Sequence, residues 1–132
     1  MNVTDLPTFI ADATSLRVTR VGELDLRHRD RAKPLLVTSE VAALTRLRAA
    51  LAIDPESLSQ QIALMTPGVL DLHFFAGHEM LATVTFVPPD SVRCQAVWGC
   101  DARLREPARL ASWLTEHGWL GGVAFTPQSS LP

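Results

Sequence analysis

The chain has 132 residues, 47% of them hydrophobic and 20% charged, a length suited to one domain and a balance that argues against intrinsic disorder. Its net charge of −2 leaves no overall basic excess for nucleic acid and no acidic solvating tail. No apolar run reaches the ~18 to 20 residues that span a bilayer.

The N-terminal stretch carries Asp5 and Asp12 in place of a basic end followed by an apolar segment, so a cytoplasmic protein without membrane contact is expected. Cys94 and Cys100 are too few for a disulfide scaffold. On one strand they would stand ~20 Å apart, and reduced thiols are expected. Eleven of the 12 basic residues are arginine and tyrosine is absent, which suggests a GC-rich bacterial source.

In chain order, Asp5 can cap a short helix that carries Phe9, Ile10 and Ala13, with Pro7 in its first turn. Leu16 and Val18, then Leu24 and Leu26 after Gly22, alternate with polar residues and read as a first hairpin. Arg27 to Lys33 is a charged connection closed by Pro34. Thr38 or Ser39 then caps a helix near 39–52 with apolar positions Val41, Leu44, Leu47 and Leu51. Asp54-Pro55-Glu56 allows a helical turn, but the run Ile62 to Met65 before Pro67-Gly68 reads as a strand.

Leu70 to Trp98 reads as an antiparallel β-meander whose register follows from the demand for one apolar face. A three-residue loop Gly77-His78-Glu79 pairs Ala76 with Met80, Phe74 with Ala82, Leu72 with Val84 and Leu70 with Phe86. A two-residue loop would mix the faces. The turn containing Pro88 and Pro89 returns the chain into Val92, Cys94, Ala96 and Trp98 on the same face. Pro107 and Gly118 bracket a last helix near 107–117 that presents Leu110, Ala111, Trp113 and Leu114 to the sheet. Trp119 can dock, whereas 126–132 has nothing to bury and reads as a mobile tail. The fold expected is one α+β domain over 1–132, with the meander and the N-terminal hairpin packed on two helices.

No hydrolase, zinc-protease, phosphate-loop or dithiol motif occurs. His73, His78, Cys94 and Cys100 point in different directions on this register, so neither a metal site nor a cofactor is expected. Cys94 faces the apolar side and packs as a small core residue instead of a nucleophile. Asp71 with Glu79 or Asp101 offers acid–base pairs that no spacing brings together.

Two surfaces remain as candidates. The outer face of the meander mixes Asp71, His73, Thr83, Thr85 and Arg93 with Phe75 and Leu81, less polar than a purely solvated face. It suits a partner protein or a second copy, unless another segment of the chain covers it. Arg27, Arg29, Arg31 and Lys33, with His28, form a basic patch able to touch phosphate, but no interleaved aromatic supports base stacking. A non-enzymatic interaction or regulatory domain is therefore the expectation. A ligand binder or enzyme using His73 is the alternative, and a weak nucleic-acid binder through 27–33 the third.

From Leu44 to Gly118 the order of elements, with Ser91-Val92-Arg93, Trp98, Asp101 and the helix Leu110 to Gly118, resembles a group of uncharacterised small bacterial α+β proteins. That resemblance implies a Cys-x-Cys before the first meander strand and paired histidines after the second. Leu64-Met65-Thr66 and Val87-Pro88 stand there instead, so a metal site in the group would be missing from this chain.

Overall fold

A six-stranded antiparallel sheet organises the chain in the computed structural model, which describes residues 6–21, 35–54, 56, 68–88, 90–94 and 101–119. The elements are α1 (Leu6–Phe9), β1 (Ser15–Arg20), β2 (Leu36–Thr38), α2 (Val41–Ala50), β3 (Leu70–Ala76), β4 (Glu79–Val87), β5 (Ser91–Arg93), β6 (Asp101–Arg103) and α3 (Pro107–Glu116). The strands lie in the order β2-β1-β3-β4-β5-β6, an α+β architecture. Among the described residues no helix is long and apolar enough to cross a membrane.

The three described helices contribute to one core on one face of the sheet. Leu16, Val18, Leu70, Leu72, Phe74, Ala82, Val84, Phe86 and Val92 meet Leu6 and Ile10 at α1, Leu44 and Leu47 of α2, and Leu110, Trp113 and Leu114 of α3. Cys94 is buried in the same core. Trp119 also joins it, edge-on to Phe86 with ring centroids 5.6 Å apart.

The central pairs Leu70–Phe86, Leu72–Val84 and Phe74–Ala82 form as the alternation demands, and Val92 continues the face opposite Phe86. The hairpin tip differs from the sequence reading. Phe75 pairs with Met80 and Ala76 with Glu79, so the loop is the two residues Gly77 and His78. A β-bulge at Phe74/Phe75 leaves Leu81 as the extra residue and restores the apolar register beyond it. Gly77, at φ 62°, supplies the positive φ wanted at the first central position of such a turn. The bulge exchanges two side chains: Leu81 packs against the core, whereas Met80 shares the outer face with Thr83, whose hydroxyl lies 3.6 Å from its sulfur.

Other boundaries shift for local reasons. β1 pairs with β2, Leu16 opposite Thr38 and Val18 opposite Leu36, while Leu24 and Leu26 lie outside the described residues. Glu40, not Thr38 or Ser39, holds the cap position of α2, and its backbone N–H donates to Thr38 Oγ1 at 3.2 Å. Val41 opens α2 and is 75% exposed, not part of its buried stripe. α3 begins on Pro107, and Gly118 follows its end at φ 103°.

β5 ends at Arg93, and Ala96, Trp98 and Cys100 lie outside the described residues, as do 57–67 and the tail. β6 is an added strand whose outer side is occupied: Asp54 N–H donates to Arg103 O at 2.8 Å, and Arg105 N–H to Ala52 O at 2.9 Å.

Candidate functional site

Strand alternation that sends Leu16 and Val18 into the core sends Arg17 and Thr19 to the outer face. The antiparallel register lines these up with the meander's polar residues. One row crosses five strands: Thr19 opposes Asp71, Asp71 opposes Thr85, Thr85 opposes Arg93 and Arg93 opposes Asp101. The adjacent row places Arg17 beside His73 and His73 beside Thr83.

These groups close on one another. Thr85 donates to Asp71 Oδ1 at 2.6 Å. The Arg93 guanidinium donates two bonds to Asp101, Nε to Oδ1 at 2.6 Å and NH2 to Oδ2 at 3.0 Å, the paired geometry that suits a planar carboxylate. This bond raises the Arg93 pKa further above its ordinary range, against the opposing pull of burial.

His73 is held between two threonines. Thr19 Oγ1 donates to the Arg20 carbonyl at 2.9 Å and is hydrogen-bonded to His73 Nε2 at 2.9 Å. Nδ1 is hydrogen-bonded to Thr83 Oγ1 at 2.8 Å. Burial pushes the imidazole below its ordinary value of 6.5, Asp71 partly opposes that, and Arg17 adds to it.

The outer-face residues singled out from the sequence thus have distinct fates. Asp71 and His73 retain only 7% and 3% of their exposure, and Phe75 is buried too, under the Arg17 guanidinium at 5.7 Å from its ring centre. Thr83, Thr85 and Arg93 are half-buried. Leu81 belongs to the core side. Asp71 and Asp101 share a row with Arg93 and Thr85 between them, and Glu79 sits exposed at the hairpin end. Arg27, Arg29, Arg31 and Lys33 lie outside the described residues. Thr19 completes the five-strand row and Arg17 the adjacent one, and both were legible from the β1 alternation.

On the opposite side of the molecule a groove of about 450 Å³ runs between α2 and α3. Its walls include Ala49 of α2 with Ala108 and Ser112 of α3, and Arg46, Arg109 and Glu116 stand along it. Arg46 bonds Glu116 at 2.7 Å and Arg109 bonds Glu106 at 2.6 Å. Trp113 also lines the groove, anchored by its indole N–H to Ala43 O at 2.9 Å and stacked on His117. Among the described residues no group of three or more His, Cys, Asp or Glu is placed to hold a metal ion.

No protein-family model, curated protein or solved structure matches the chain.

Proposed function

We propose that the chain is a non-enzymatic protein-association domain whose contact surface is the groove between α2 and α3. One observation carries the reading: the polar side chains best suited to chemistry, Asp71, His73 and Asp101, are withdrawn from solvent and bonded within the sheet, whereas concave surface lies between the helices. A catalytic histidine must reach a substrate proton. His73 has both ring nitrogens engaged by threonines. The polar row is thus an internal brace between strands. The resemblance to small bacterial proteins contributes no partner.

A photo-crosslinking residue placed at Ala49 or Ser112 of the full chain in its own cells tests this. The expected result is an adduct of discrete mass, lost when Ala108→Arg fills the groove. Absence of an adduct at both positions, or equal adducts from a probe at Val37 on β2, would overturn the reading.

A further inference from the structure

We propose that the groove is filled by a second copy of this chain, the two copies related by a two-fold axis with α3 antiparallel to its counterpart across Ser112. This rests on the groove being a contact surface and adds what occupies it.

The spacing on α3 carries the inference. Arg109 lies three residues before Ser112 and Glu116 four residues after it, and all three line the groove. Positions i−3, i and i+4 share one helix face. A copy of α3 laid antiparallel over Ser112 therefore brings its Glu116 to Arg109, and the same rotation brings its Arg109 to Glu116, as a two-fold interface requires. The face is complementary in charge to itself.

Neighbouring charges fit the same arrangement. Arg46 sits beside Glu116 and Glu106 beside Arg109, so two cations and two anions cancel on each copy and the surfaces meet without net repulsion. Both present ion pairs are more than half exposed. They hold weakly and are free to take a further partner. At the crossing point the side chains are Ser112, Ala108 and Ala49, short enough for two helix backbones to approach closely. Trp113 beneath them is pinned to Ala43, which keeps this part of the groove from collapsing.

Sedimentation equilibrium of the full chain from micromolar to millimolar concentration tests the proposal, with circular dichroism confirming that each variant folds. The expected result is a monomer–dimer equilibrium that Ser112→Arg abolishes. Arg109→Glu and Glu116→Arg should each weaken the dimer about tenfold, since two symmetry-related pairs turn repulsive at once. The double variant should recover most of the affinity. A monomer at every concentration, a dimer indifferent to Ser112→Arg, or a double variant no tighter than the singles overturns the proposal. A monomer whose crosslink at Ser112 captures a protein of different mass would leave the groove reading intact and remove only the self-pairing.

Discussion

Trp113 donates its indole N–H to the backbone carbonyl of Ala43 at 2.9 Å, joining α3 to α2 above the sheet. The bond is buried, so its loss is not made good by water. Trp113→Phe keeps most of the apolar ring and is expected to cost about 1 kcal/mol, the net value of a hydrogen bond. Trp113→Ala also opens a cavity and should cost about 4 kcal/mol. Urea denaturation of the two variants separates the terms, and a Trp113→Phe variant as stable as the native chain would show that the hydrogen bond is immaterial.

His73 sets a pH dependence whose sign is fixed by its environment. Its folded-state pKa lies below the ordinary 6.5 because burial disfavours the imidazolium. In the window below 6.5 the unfolded chain therefore binds the proton more readily, and stability falls as the pH drops. The contribution is complete above 6.5, and the loss levels off once the pH passes the folded-state value. Melting temperatures measured between pH 8 and pH 5 should slope less in His73→Gln than in the native chain; parallel profiles would discount His73.

Arg93 and Asp101 are unequal partners. The Asp101 side chain is 2% exposed, whereas that of Arg93 is 25% exposed. Removing the guanidinium strands a buried carboxylate, and Arg93→Met is expected to cost about 3 kcal/mol. Asp101→Asn keeps one acceptor and leaves an arginine able to reach water, at about 1 kcal/mol. Denaturant midpoints should rank the variants in that order, and the reverse order would refute the argument.

Two glycines answer to different constraints. A Cβ at Gly68 would run into the Cγ2 methyl of Thr85, so Gly68→Ala should cost about 2 kcal/mol by overpacking. Thr85→Ser removes that methyl and keeps the hydroxyl that bonds Asp71, so the double variant is expected to regain much of the loss. Gly77 has open space around it but a φ of 62°. Gly77→Ala should therefore lose about 1 kcal/mol from the backbone alone, with no rescuing partner. Thermal melts of the three variants provide the comparison.

The sheet was legible where alternation is long. Leu70, Leu72 and Phe74 against Ala82, Val84 and Phe86 admit one register with a uniform face. Met80 and Leu81 were misplaced because a bulge changes the count by one while leaving composition untouched. β2 and β6 were missed for brevity, since three residues such as Asp101-Ala102-Arg103 carry too little pattern to tell strand from loop.

The sequence leaves open whether the polar row is covered, because period-two alternation looks the same on a solvated face and on one withdrawn from water. Only the tertiary arrangement distinguishes them. The groove left no motif, as Arg46 and Ala49 meet Arg109 and Ser112 only once α2 and α3 pack together.

The segment Ala52–Asp54 running along β6 has a consequence for how copies of this chain can aggregate. Fibrils grow by edge-to-edge addition only if every subunit offers two open margins. Here the Asp54 and Arg105 amides bond across the β6 margin internally, which withdraws those groups from edge-to-edge pairing. That margin behaves as a terminator: it gives a second sheet nothing to extend.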